Sequence, residues 1–213
     1  MDSELKSVLE KTRSLSLDML KLAYRESIPS ELALPTSFWN SYGDEKLAIG
    51  LRACLSIWAA SGNKIVPNEF QLTATISLMS GQDTLVDVGT GYGKTLCMII
   101  PCLLDPPGSI SIVISPLKRL QAVQVLEFER YAITTVAINE DTPNDPELWK
   151  VWPLVDFSCA VLTLLCLENI CREVFGTSSP AGATFYVLWS LASSRTPYPA
   201  RSAFPKVDCT SSR

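Results

Sequence analysis

The residues best suited to chemistry are Val88-Gly89-Thr90-Gly91-Tyr92-Gly93-Lys94-Thr95, set between a short apolar run, Thr84 to Val88, and a helix-like run, Leu96 to Leu104. Closely spaced glycines let backbone N–H groups converge on a polyphosphate, and a helix that follows presents its positive N-terminal end to the same anion. Lys94 can reach the β and γ phosphates, and the Thr95 hydroxyl can bind Mg²⁺. A nucleoside triphosphate is the ligand this order of residues suits. Val88 stands where the strict pattern G-x-x-x-x-G-K-[ST] has its first glycine, which leaves the variant x-x-T-G-x-G-K-T. The plainer alternative is a glycine-rich turn with a solvated lysine.

Other chemistries are excluded by what the chain lacks. There is no histidine, which removes Cys/His and Ser/His/Asp catalysis and His-ligated metals. The seven cysteines (Cys54, Cys97, Cys102, Cys159, Cys166, Cys171, Cys209) form no C-x-x-C pair; they read as reduced, buried thiols of an intracellular protein. The net charge of −4, from 18 basic and 22 acidic residues in 213, does not advertise nucleic-acid binding, so any basic surface must be local. No apolar signal core follows Met1, and the apolar region Val151 to Leu167 is interrupted by Pro153 and Asp156. Neither export nor a membrane span is expected.

Several elements must position the loop. Leu5, Val8 and Leu9, then Leu17, Leu20 and Tyr24, recur at helical spacing, with Ser16 placed as a cap; Pro29 and Pro35 interrupt the run. A further helix carries Leu47, Leu51, Cys54, Leu55 and Trp58 on one face and ends at Gly62. Pro67 to Gln71 opens a helix bearing Leu72, Ile76 and Met79, which Gly81 ends. Strands are expected at Thr84 to Val88, Ile110 to Ile114 and Thr134 to Ile138, with a helix from Lys118 to Tyr131. Strands alternating with helices imply a parallel sheet, with ligands at the carboxyl ends of its strands. The fold class is α/β.

Gln71, Gly81-x-Asp83, Thr90 to Cys97 and Ser115-Pro116-Leu117 together resemble the opening motifs of a RecQ-type DEAD/DEAH-box helicase of superfamily 2, over about Pro67 to Lys150. The resemblance implies a partial RecA-like P-loop motor domain, a parallel sheet with flanking helices, preceded by a helical extension. It implies ATP and Mg²⁺ as cofactors, held through Gln71, Thr90, Gly91, Tyr92, Gly93, Lys94 and Thr95, with Thr95 toward the metal. Gln71 would read adenine, since a carboxamide can accept from N6 and donate to N7 at once. Ser115 and Pro116, with Lys118 and Arg119, would lie against a nucleic-acid backbone, DNA by resemblance; these groups suit phosphates and carry little base information. The corresponding activity is ATP-dependent 3'-5' DNA unwinding in the nucleus. The arginine usual just before the glutamine is missing.

Three parts are read: a helical N-terminal extension, 1–66; a partial ATP-binding domain, 67–150; and an atypical tail, 151–213. No Asp-Glu-Ala-His or Asp-Glu-Ala-Asp run is present; Asp44-Glu45 and Glu140-Asp141 do not end strands in the required place. Without that acidic pair and a second motor domain, which a second chain would have to supply, ATP hydrolysis should be negligible. Codons for Gly176 to Ala183, read one base later, can spell Gly-His-Leu-Pro-Arg-Leu-Ala, similar to a run before the acidic motif of RecQ-like relatives. The tail is then an out-of-frame reading; the competing view makes Val161 to Leu167 a replacement strand. A different class of function also stays open, a non-catalytic interaction protein whose phosphate loop is vestigial.

Overall fold

The computed structural model describes residues 3–89, 91–106, 109, 111–115, 117–139 and 141–142, with the backbone of 159–162 and 187–189. Four helices come first: α1 (Ser3–Ser14), α2 (Leu17–Ser27), the short α3 (Thr36–Trp39) and α4 (Asp44–Ala60). Ser16 caps α2 as expected, its hydroxyl accepting from the Met19 N–H at 3.4 Å. Helix α4 ends in a Schellman motif, with Gly62 at φ +65° and the Asn63 N–H returning 2.8 Å to the Trp58 carbonyl. Helix α5 (Glu69–Met79) closes the same way at Gly81, φ +74°, with Gln82 N–H 3.0 Å from the Ser77 carbonyl.

Helix α4 is the hub of the helical half, packing against α1, α2, α5 and α6 (Leu96–Leu104). Its Gly50 lets Trp39 of α3 and Ile76 of α5 come close. A Cβ there would come within 2.8 Å of the Trp39 ring and 3.2 Å of Ile76. Trp39 in turn meets Tyr24 and Phe38 edge to face, with centroids 5.7 and 5.0 Å apart. Leu20, Ile57, Leu72, Ile76, Ile99 and Ile100 belong to one buried cluster, so the core passes without a break across residue 66. Arg13 adds a polar tie: its Nη2 donates to the Leu103 carbonyl at 2.8 Å, at the negative end of α6.

Beyond α6 the chain is α/β. Strand β1 (Ser111–Ile114), helix α7 (Lys118–Arg130) and strand β2 (Thr135–Ile138) follow in sequence, and β3 (Cys159–Leu162) and β4 (Val187–Trp189) complete a sheet of order β2-β3-β1-β4. Every pairing is parallel, with Ile112 opposite Ala160 and Val187, and Val136 opposite Ala160. Ile110 lies outside the described residues, as does most of the tail.

One expected element is not formed. Residues 82–89 carry no strand, and Leu85 is 78% exposed. β-branched content alone does not make a strand, because the backbone groups need a ladder partner. Asp87 in the middle of the run also disfavours an interior parallel position, where both faces are covered.

Helix α7 ends at Ala132 in a third Schellman turn, with N–H bonds from Ala132 to Glu129 O (2.9 Å) and from Ile133 to Phe128 O (3.1 Å). Here the left-handed residue has a Cβ, at φ +57°. Replacing Ala132 by Gly should raise stability by about 1 kcal/mol in denaturant unfolding. Arg13→Ala should lower it by about 1–3 kcal/mol, through loss of a charge-assisted bond to a helix terminus.

Candidate nucleotide site and nucleic-acid edge

The phosphate loop is set by backbone before any side chain is considered. Gly91 and Gly93 adopt φ +87° and +77°, the left-handed region in which an L side chain is strained. Among the described backbone bonds, no N–H from Gly91 through Thr95 acts as donor; the first donors are Leu96, to Gly93 O, and Cys97, to Lys94 O. N–H groups at a helix start that are taken up by no described backbone acceptor suit an anion. The Thr95 hydroxyl makes no capping bond to α6. Thr90 lies outside the described residues.

Lys94 folds back across the loop. Its Nζ donates to the Val88 carbonyl at 2.8 Å and the Gly89 carbonyl at 2.7 Å. These two acceptors hold the ammonium beside the N–H row. Tyr92 is largely exposed, with its ring close over Gly89, where a Cβ would come within 3.2 Å of the ring.

The Gln71 carboxamide is engaged by neighbouring protein groups. The residue is 3% exposed and tied at both ends to protein. Its Oε1 accepts from the Asn68 N–H at 3.0 Å while its own N–H bonds the Asn68 side chain at 3.2 Å, a reciprocal capping box at the start of α5. Its Nε2 donates to the Gly93 carbonyl at 2.9 Å. Asn68, the N-cap of α5, is the residue that sequence reading passed over, and the N-x-x-Q spacing carried its signal.

A second cluster lies at the carboxyl ends of β1 and β2. Ser115 is fully buried and its hydroxyl has no hydrogen-bond partner among the described residues, so this hydroxyl is not on a surface where a nucleic-acid strand can reach it. Pro116 lies outside the described residues. Arg119 is exposed. Lys118 forms an ion pair with Asp141 at 2.8 Å, the two side chains being 38% and 76% exposed. Behind the pair, Asn139 donates from Nδ2 to Gln121 Oε1 at 3.0 Å and accepts the Asp141 N–H at 3.0 Å. Asp141 and Asn139 are additions that only the folded chain shows, because they are brought to Lys118 from beyond the next strand, and Gln121 on α7 joins them through Asn139.

With this geometry in place, the comparison with known proteins is direct. Residues 68–161 match the DEAD/DEAH box helicase family. Part of the chain is also similar to RecQ-like DNA helicases. It is 33% identical over 96 residues to a protein named for an ATP-dependent DNA helicase Q1 in Caenorhabditis briggsae, covering 41% of this chain and 15% of that protein. It is 29% identical over 119 residues to the ATP-dependent DNA helicase Q-like SIM of Arabidopsis thaliana, covering 52% of this chain and 14% of the relative. Against the RecQ-like DNA helicase blm-1 of Caenorhabditis elegans the figures are 28% over 105 residues, 48% and 10%. The chain therefore spans no more than 15% of the length of these relatives. Among the described residues no helix is long and apolar enough to cross a membrane.

Cys97, three residues after Lys94, tests how closed the base of the glycine-rich loop is. Burial pushes its thiol up to about 11, against a smaller lowering by Lys94. Burial pushes Cys54 up as well. Because the thiolate is the reactive form, both should resist iodoacetamide in the native protein at pH 8 and react on unfolding, as read by peptide mass mapping.

Proposed function

We propose that this chain is an ATP- and nucleic-acid-binding part of a RecQ-type helicase motor. The observation that carries the proposal is the row of N–H groups from Gly91 through Thr95, none of them a donor among the described backbone bonds, at the start of α6 and beside Lys94. The nucleotide's phosphates would be held by these N–H groups and by Lys94 once it leaves the Val88 and Gly89 carbonyls, and Mg²⁺ by Thr95. When bound, the metal supplies charge neutralisation between phosphate oxygens. Hydrolysis by these residues alone is negligible on this reading. Strand β4, Val187-Leu188-Trp189, brings no carboxylate beside β1, and a partner chain would have to complete the motor. The partial RecA-like sheet, the division of the chain at 66 and 150, DNA as the nucleic acid and nuclear residence belong to the same proposal.

The nucleic-acid edge would be Lys118 and Arg119 at the start of α7, with the buried Ser115 shaping the turn rather than touching a strand. A second reading, a vestigial loop on an interaction protein, is favoured by one observation: the run 82–89 that should anchor the loop is unpaired and largely exposed.

Lys94→Ala separates the two readings. Under the first, a hundredfold excess of Mg·ATP over its Kd raises the unfolding midpoint of the wild type by about 5 °C or more and leaves the variant unmoved. Identical behaviour of the two proteins would favour the vestigial loop. Asp141 competes with phosphate for Lys118, so Asp141→Asn should tighten single-stranded DNA binding by about two- to fivefold at low salt and less at high salt, read by fluorescence anisotropy.

A further inference from the structure

Helix α7 is inverted for a helix that lies on a sheet. The side it lays on β2 and β3 buries Gln121 and Gln124 beside Phe128. The opposite side leaves Arg119, Ala122, Val123, Leu126 and Glu129 in the open, with Val123 56% and Leu126 60% exposed. These positions recur every three or four residues, so they form one continuous stripe. An ordinary surface helix hides its valine and leucine and gives its glutamines to water. Here apolar area stays in water that a second surface laid on the stripe would remove.

Charge along the stripe decides what that surface can be. The start is basic, at Arg119, and the end acidic, at Glu129. These two residues stand at equal distances from Gln124 in the middle of the helix, and so do Ala122 and Leu126. A second α7 laid antiparallel across a two-fold axis therefore sets Arg119 of each copy against Glu129 of the other and Leu126 over the small Ala122, with Val123 of both copies beside the axis. Parallel packing would oppose arginine to arginine and glutamate to glutamate. Lys118 and Arg130 also approach in the antiparallel arrangement, but each has its own carboxylate, Asp141 at 2.8 Å and Glu127 at 2.7 Å. A nucleic-acid strand suits only the basic start, since Val123, Leu126 and Glu129 offer phosphates nothing. We infer that the outward face of α7 is a self-association surface whose occupant is α7 of a second copy of this chain. One helix pair of this length buries less than a standard interface, so the association is weak and concentration-dependent.

The experiment is sedimentation equilibrium of the full chain, without nucleic acid because Arg119 also belongs to the proposed nucleic-acid edge. It compares wild type, Leu126→Glu, Arg119→Glu, Glu129→Arg and the double variant that carries both charge reversals, with each unfolding midpoint at low concentration as the check on folding. The expected result is that the wild type moves from one chain toward two between about 10 μM and 1 mM. Leu126→Glu should stay monomeric over that range. Each single reversal should weaken association about five- to tenfold at low salt, and the double variant, in which opposite charges meet again, should return to within about threefold of wild type. A wild type that stays monomeric across the range overturns the inference. So does association that Leu126→Glu leaves unchanged, which would place the contact elsewhere, as at the open edges β2 and β4 of the sheet. Single reversals without effect, or a double variant no better than either, overturn it as well. If Leu126→Glu does not fold, Val123→Glu is held to the same criterion.

Discussion

A helix without a polar face has to be enclosed on every side, and α6 is such a helix. Its sequence, LCMIIPCLL, is apolar throughout, and Cys97 to Leu103 are buried without interruption. An amphipathic helix can lie on one sheet and leave its other face in water; α6 cannot. The N-terminal helices meet this requirement. Helices α1 and α4 pack against it directly, α5 lies beside it, and Arg13 caps its carboxyl end. The start of α6 is where the phosphate loop ends, so the packing that hides the helix also fixes the position of the loop.

The loop inherits its shape from two sources at unlike cost. Left-handed backbone at Gly91 and Gly93 is permitted by the absence of side chains. The loop carbonyls are then tied from outside, by the amide of Gln71 on Gly93, and from inside, by the ammonium of Lys94 on Val88 and Gly89. An anion that draws Lys94 away exchanges two neutral carbonyl acceptors for charged oxygens, a stronger bond type. Binding is therefore a local exchange of partners beside N–H groups that no described backbone acceptor takes up.

Much of this was legible in the sequence, for reasons specific to each element. Glycine punctuation marked the ends of α4 and α5, because only a residue tolerant of positive φ closes a Schellman turn cheaply, and Ser16 marked the start of α2 through its hydroxyl. The bounds of α6 follow from its uninterrupted apolar run. The end of α7 was one residue off, since Ala132 gives no such mark. The run Thr84 to Val88 has strand composition and no strand, because pairing depends on a neighbour that composition does not supply. The orientation of Gln71 and the burial of Ser115 are decided by tertiary packing, which a local pattern does not encode. Lys118 could be singled out as a cation, but its partner Asp141 comes from beyond β2, and a contact across that separation leaves no periodic signal.

The account's central claim is that nucleotide binds to a loop carried on one continuous core formed by α1, α2, α4, α5 and α6. Hydrogen–deuterium exchange of the whole chain, read by mass spectrometry with and without Mg·ATP, tests both halves at once. The account predicts slow exchange throughout α4, α5 and α6 in the free protein and new protection confined to peptides spanning Gly91 to Leu96 on adding nucleotide. Rapid exchange in α4 while α6 stays protected, or no protection of the loop by nucleotide, would contradict it.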